Sequence, residues 1–280
     1  MNARPRAFHK GRDMPDFTGK TIIITGGGTG LGRAMAEHLG SLGGQVVAVG
    51  RRPEPLAETV AAIVAAGGSA EAVQTDIRVP EQVQSLVDGV VAKHGRLDCL
   101  VNNAAGNFIV RAEDLSPNGW NAVINIVLNG TFYCSRAAGR AMIAAARGGS
   151  ILNIVAAYAW TGGPGTIHSA AAKAGVISMT QTLAVEWGRH GIRVNALCPG
   201  VVNTPGAAAK LFPTEAIRDR IARRVPLGRL ETPEEVARAA AFLLSDDASY
   251  VNGAVLVADG GMWLEPGLLA AVGEVPQAPR

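Results

Sequence analysis

Two groups of residues carry the chemistry that can be read from this chain. The first is the loop Thr25-Gly26-Gly27-Gly28-Thr29-Gly30-Leu31-Gly32, set between an apolar β-branched run and a helical stretch from Arg33 to Leu42. Glycine lets the backbone turn sharply and approach a pyrophosphate, whose charge is favoured by the free N–H groups and positive end of the following helix. The order of strand, loop and helix marks a dinucleotide site, here with the spacing T-G-x-x-x-G-x-G in place of G-x-G-x-x-G. The second apolar run, Gln45 to Val49, ends in Gly50-Arg51-Arg52, where a site preferring NAD usually holds an Asp or Glu for the ribose hydroxyls. Two guanidiniums pair instead with a 2′-phosphate through their planar donor forks, so NADPH is the expected cofactor. The second group is Ser169 and Lys173, four residues apart in a helical stretch, on one face and able to reach the same cleft.

Elements that can position these groups follow from the apolar pattern. Short β-branched runs, Thr21 to Ile24, Gln45 to Val49, Ala70 to Gln74, Leu97 to Val101, Ser150 to Val155, Arg193 to Leu197 and Ala254 to Val257, alternate with longer Ala/Leu-rich stretches. Ser116-Pro117 and Thr232-Pro233-Glu234-Glu235 each put a capping hydroxyl before a first-turn proline, the latter with Glu at the third helical position. Parallel neighbours need crossover helices, so the expected fold is α/β, a doubly wound parallel sheet of about seven strands with helices on both faces. No linker, composition break or repeat interrupts residues 18–263, which read as one domain between an N-terminal arm at 1–17 and a C-terminal tail at 264–280. Within it, the Ala-rich stretch at 204–225, with scattered Arg and Lys, suits a lid and equally an ordinary surface helix. The last residues, 270–280, read as disordered. Between Ser169 and Arg189 a stripe of Val176, Thr180, Leu183 and Trp187 recurs at helical spacing, open to packing within the chain or between subunits.

Composition sets bounds on what the protein does. The chain is 48% hydrophobic and 18% charged, as folded globular proteins are. Its 26 basic and 23 acidic side chains leave a formal charge of +3, far from the clustered basic surplus of a nucleic-acid binder, and no nucleic-acid partner is expected. Cys99, Cys134 and Cys198 lie far apart and the five histidines form no ligand set, so the cysteines read as reduced core residues and no metal is expected. No apolar stretch approaches the roughly 18 residues of a membrane span, and no signal-peptide block opens the chain; no membrane partner and a cytoplasmic location are expected.

The glycine loop, Asp76 after the third run, Asn102-Asn103-Ala104-Ala105-Gly106 after the fourth, Lys173 after the fifth and Pro199-Gly200 after the sixth together resemble the short-chain dehydrogenase/reductase family over nearly the whole chain. The resemblance implies a Rossmann-type sheet, a nicotinamide cofactor across the strand C-termini and a homotetramer, in which the stripe from Val176 to Trp187 would lie between subunits. It also implies that Asp76 meets the adenine, that the Asn102 segment with Asn103 and Ala104 lines the cofactor cleft, that Lys173 holds the nicotinamide ribose, and that Pro199, Gly200, Val201 and Val202 contact the cofactor. Most members reduce carbonyls with an Asn, a Ser and a Tyr-x-x-x-Lys pair, and this chain departs from them. Ser169 stands four before Lys173, Ala156 at the Ser position and Val127 at the Asn position. An aliphatic hydroxyl is a far poorer acid than a phenol of pKa about 10, so ketone reduction by that tetrad is not expected.

The replacement pattern, Asn102-Asn103-Ala104-Ala105-Gly106-Asn107-Phe108 with Tyr158 and Ser169-Ala170-Ala171-Ala172-Lys173, resembles the NADPH-dependent 2,4-dienoyl-CoA reductases of that family. That likeness implies that Tyr158 and Asn107 act at the thioester oxygen, that Ser169 and Lys173 organise the ribose and a nearby water, and that Arg78, Phe108, Ser116 and Lys210 contact the acyl-CoA. Hydride delivered to the δ carbon would leave a dienolate whose charge at the thioester oxygen these donors hold. Protonation at the α carbon, by Tyr158 or an ordered water, would give trans-3-enoyl-CoA in the β-oxidation of unsaturated fatty acids. Without the resemblance, Tyr158 also reads as a buried tyrosine with a satisfied hydroxyl, and Asn107 as a turn former. Two alternatives stay open: a 2-enoyl-CoA reductase of the same fold, and a non-catalytic NADP(H)-binding sensor or scaffold.

Overall fold

Seven parallel strands form one sheet in the order β3-β2-β1-β4-β5-β6-β7. The computed structural model describes residues 15–204 and 214–264. The strands are β1 (Thr21–Thr25), β2 (Gln45–Gly50), β3 (Ser69–Gln74), β4 (Cys99–Asn102), β5 (Gly149–Ile154), β6 (Ile192–Pro199) and β7 (Val255–Ala258), each lying on one of the expected β-branched runs. Val47, Ile23, Leu100, Ile151 and Val194 stand in register across five of them and are buried on one face. The next row, Ala48, Ile24, Val101 and Leu152, is buried on the other. Apolar side chains on both faces are what a parallel sheet covered on both sides requires.

The covering helices among the described residues are α1 (Gly30–Ser41), α2 (Pro53–Ala65), α3 (Pro80–His94), α4 (Pro117–Ile124), α5 (Gly130–Ala145), the short α6 (Tyr158–Thr161), α7 (Ile167–Gly188), α8 (Glu215–Ala222) and α9 (Pro233–Leu244). Helices α1 and α9 pack on the face of Ile24 and Val101, with Met35, Leu39, Val236 and Leu243 in one core. On the other face α3, α5 and α7 supply Val87, Met142 and Leu183 to a second core. The expected caps are present: Ser116 Oγ accepts from Gly119 N at 3.1 Å, and Thr232 with Glu235 forms a reciprocal capping box at the start of α9. Beneath the C-terminal ends of β4 and β5, Asn102 Nδ2 donates to Ser135 Oγ (2.9 Å) and Asn153 Oδ1 (2.8 Å), and Asn153 Nδ2 donates to Thr180 Oγ1 (2.8 Å), tying two strands to α5 and α7.

Two expectations change. Phe17, placed in the arm at 1–17, is fully buried in the core, because its N–H donates to Leu42 O at 2.9 Å and folds the chain under α1; residues 1–14 of that arm lie outside the described residues. The stripe on α7 is covered by its own chain: Val176, Thr180 and Leu183 are buried, and Trp187 lies where a Cβ on Gly139 would stand 2.5 Å from the indole. An apolar face shows that something must cover it: here β5 and β6 cover Val176 and Thr180, and α5 meets Leu183 and Trp187. Of the lid at 204–225, residues 205–213 lie outside the described residues, as does the tail from 265 to 280. Its described part holds α8, capped by Thr214.

All three cysteines are free and buried, and desolvation pushes each thiol up to about 12. No helix among the described residues is long and apolar enough to cross a membrane.

Candidate active site

The sheet order reverses between β1 and β4, and at their C-terminal ends opens a cleft of about 560 Å³. One end is made of backbone. Gly26, at φ +67°, turns out of β1, and a Cβ on Gly32 would stand 2.1 Å from Gly26 O, so loop and helix touch backbone to backbone. Thr25 Oγ1 accepts from the N–H groups of Asn103 and Ala104, both at 3.0 Å, joining the loop to the segment after β4. Helix α1 begins at this loop with Thr29 as N-cap but without a side-chain cap, and with no acidic residue in its first turn. Helices α2, α3 and α9 each carry a glutamate there. An uncapped helix end facing a cleft, approached by glycine backbone, fits a pyrophosphate.

Arg51 and Arg52, past the end of β2, line the same end with Asp76. Arg78 Nε donates to both Asp76 carboxylate oxygens, at 2.9 and 3.0 Å, and this fork holds the Asp76 carboxyl below its ordinary range. Two residues expected to meet different ligands thus form one ion pair on the cleft rim.

The other end is made of side chains. Tyr158, the first residue of α6, and Lys173 of α7 both line the cleft. The Tyr158 hydroxyl lies 3.0 Å from Ser169 Oγ, which is buried. Burial raises the Tyr158 phenol above its ordinary value, and the bond to Ser169 opposes this only in part. Lys173 Nζ donates to Ile154 O, and desolvation lowers the ammonium to about 8. Ala156 lines the cleft without a hydroxyl, and Val127 sits on a π-helical turn, Asn125–Asn129, packed against Val123 and Ala172. The phenol therefore arrives from α6, and the serine on α7 backs it.

Around these two ends the other expected residues divide. Asn107 is exposed and lies off the cleft wall; its Oδ1 accepts from Phe108 N at 2.9 Å, and its NH2 has no protein partner among the described residues. Asn103, Ala104, Pro199 and Gly200 line the cleft, whereas the Asn102 side chain is buried beneath the sheet, a correction set by strand alternation. Phe108 and Ser116 come together over Gly119, where a Cβ would meet their side chains at 3.1 and 3.3 Å. Lys210 lies outside the described residues.

Two residues escape a reading of the sequence. His168 is fully buried, its Nδ1 accepting from Ser169 N at 2.8 Å and its ring meeting Phe108 edge-on at 4.5 Å. Its Nε2 has no partner among the described residues. Adjacency to Ser169 is the one signal that could have found it. Glu231 accepts from Gly200 N at 2.8 Å, and no local spacing announces that contact. Among the described residues no three His, Cys, Asp or Glu side chains group as a metal site.

Comparison with known proteins agrees with this geometry. A family model described as Enoyl-(Acyl carrier protein) reductase matches residues 26–263. A Bacillus subtilis protein described as a probable 2,4-dienoyl-CoA reductase, (2E)-enoyl-CoA-producing, is 54% identical over 88% of this chain and 98% of its own. A Caenorhabditis elegans protein described as probable 2,4-dienoyl-CoA reductase 3, (3E)-enoyl-CoA-producing, is 43% identical over 87% of this chain and 80% of its own. The crystal structure of a short chain dehydrogenase from Bacillus anthracis is 51% identical and superposes with a TM-score of 0.80, covering 87% of this chain and 96% of that one. An Agrobacterium tumefaciens structure with bound NADP, 34% identical, gives a TM-score of 0.83 over 90% of this chain and all of its own. The chain belongs to the short-chain dehydrogenase/reductase family: it is an oxidoreductase that uses a nicotinamide cofactor.

Proposed function

We propose that this enzyme is an NADPH-dependent 2,4-dienoyl-CoA reductase. The observation that carries the reading is the Tyr158–Ser169 pair beside Lys173, with Ala156 and Val127 where carbonyl-reducing relatives place a hydroxyl and an amide. The Gly26–Gly32 loop, Arg51 and Arg52 at the 2′-phosphate and Lys173 at the nicotinamide ribose would hold NADPH, which when bound would supply a hydride.

The protein's own task is then to hold charge. Hydride addition at the δ carbon of a dienoyl thioester places negative charge on the thioester oxygen. Tyr158, kept protonated by burial and braced by Ser169, donates a hydrogen bond to that oxygen. Asn107, exposed beside the cleft, would bring its unspent NH2 as the second donor once the acyl thioester covers it. Such preorganised donors act strongly in a site that excludes water. Phe108 and Ser116 lie along the acyl thioester, and Lys210, with Arg78 once it leaves its ion pair with Asp76, meets the CoA phosphates. Protonation at the α carbon yields the trans-3-enoyl-CoA, and the enzyme works as a homotetramer in β-oxidation of unsaturated acyl chains. A second reading of the last step is favoured by the 54% identical relative, whose described product is the (2E)-enoyl-CoA, the outcome of protonation at the γ carbon.

The test is NADPH oxidation with 2,4-hexadienoyl-CoA and 2,4-decadienoyl-CoA, beside crotonyl-CoA, dodecenoyl-CoA and NADH, with products identified by mass and double-bond position. Turnover of the dienoyl substrates with preference for NADPH is expected, and the double bond in the product distinguishes α from γ protonation. Reduction of the 2-enoyl substrates alone would move the activity to a 2-enoyl-CoA reductase. Binding of NADPH with no turnover of any thioester would leave a non-catalytic NADP(H)-binding protein.

A further inference from the structure

The segment that leaves β6 along the cofactor cleft, residues 199–204, is strapped from behind by one residue, Glu231. Glu231 N donates to Val201 O and Asn203 N donates to Glu231 O, both at 3.1 Å, making a parallel bridge between Val202 and Glu231. The side chain adds a third tie, with Oε2 accepting from Gly200 N at 2.8 Å. That N–H is shared with Ala258 O at 3.1 Å, so the carboxylate takes the shorter arm of a forked bond. On its other side the segment has no room: a Cβ on Gly200 would stand 2.8 Å from the Asp259 backbone.

The carboxylate sits half-buried without an ion pair among the described residues. The nearby cation, Arg229, forks onto Glu235 instead. The other ionisable groups facing Glu231 are Glu235 from α9, Asp259 from the turn after β7 and the Cys198 thiol from β6. Burial pushes the Glu231 carboxyl up to about 7, with the Gly200 N–H opposing the rise. A half-buried carboxylate set among acids and given a single backbone donor is a poor arrangement for stability. Its one distinctive contact is Gly200, which lines the cofactor cleft.

We propose that Glu231 is a positioning residue for the nicotinamide cofactor: its ionised carboxylate clasps Gly200 and fixes the cleft edge, and protonation loosens that clasp and weakens cofactor binding. The proposal rests on the nicotinamide reading of the cleft and is independent of the acyl-CoA substrate. An ionised acceptor makes a hydrogen bond roughly twice as strong as a neutral one. Protonation removes that advantage and turns an O–H toward neighbouring acids.

The experiment is a fluorescence titration of NADPH into wild type, Glu231→Gln and Glu231→Ala between pH 6 and 8.5. The NADPH 2′-phosphate itself titrates near pH 6 in every variant, so the difference in slope between wild type and Glu231→Gln isolates Glu231. In wild type the Kd should rise about threefold to tenfold more steeply toward pH 6 than in Glu231→Gln, whose amide accepts from Gly200 without a charge to lose. Glu231→Ala should bind more weakly than wild type at pH 8 and share the shallow slope. Superimposable profiles for wild type and Glu231→Gln would overturn the clasp while leaving the cofactor site intact. Absence of NADPH binding at every pH would overturn the cofactor reading, and the clasp with it.

Discussion

The two ends of the cleft are built from different materials. At the β1 end the shaping atoms are backbone: Gly26 and Gly32 in contact, Thr25 bracing Asn103 and Ala104, an uncapped helix start, and two exposed arginines. At the β5 end they are buried side chains, with Ser169 and Lys173 at 1% and 7% exposure on either side of one turn of α7. The first end tolerates no added Cβ at Gly32, and a pyrophosphate reads its backbone in the same way whatever the reaction. The second depends on which hydroxyl, phenol or amine stands at each position. In the proposed mechanism, reaction type is therefore written at the β5 end, and a shared fold leaves it open.

Substitutions on either side should break this division if it is wrong. The largest effect is expected from Tyr158→Phe, which removes one oxyanion donor and should lower kcat about 10²–10³-fold while NADPH affinity changes less than about twofold. A parallel loss of NADPH affinity would show that the ends are not separable. Gly32→Ala is the converse. Its methyl would press on Gly26 O and Asn103 Nδ2, costing about 1–3 kcal/mol of stability and weakening NADPH at least about tenfold. Thermal unfolding and fluorescence titration would check both, and unchanged affinity would remove the close approach from the account.

A pH series sharpens the same comparison, because Lys173 loses its charge within an accessible pH range. With its folded pKa lowered to about 8, Lys173 loses its proton as the pH rises through 8, and kcat/KM for NADPH should fall toward about tenfold per unit above that point. Stability moves the other way. Between about 8 and the ordinary lysine value the unfolded chain binds more protons than the folded one, so this residue's contribution to stability rises with pH. A kcat/KM flat to pH 9.5 would show that the Lys173 charge is not required.

Much of this architecture is legible in the amino-acid sequence because it rests on local pattern. Each β-branched run forms a strand, and the glycine loop needs only its neighbours in the chain to be recognised. The Tyr158–Ser169 contact spans a turn between α6 and α7, so it is legible as two residue types but not as a hydrogen bond. Periodicity marks the apolar stripe on α7 but cannot say that Gly139 of α5 leaves room for Trp187. Asp76 and Arg78, two residues apart, carry the signature of an ion pair, which an assignment to separate ligands passes over. Glu231 is invisible for a physical reason: its contact with Gly200 depends on where the chain returns after α8, and nothing near it in the sequence encodes that return.

The burial of Cys99, Cys134 and Cys198 has a consequence for handling the protein. With thiols near 12, about one molecule in 10⁵ carries a thiolate at any one of these positions at pH 7, and that thiolate is enclosed. A thiol reagent in the bath will find its targets only in chains that have opened, so its rate of incorporation counts those openings. Enclosed in the core, the cysteines supply an internal clock for unfolding.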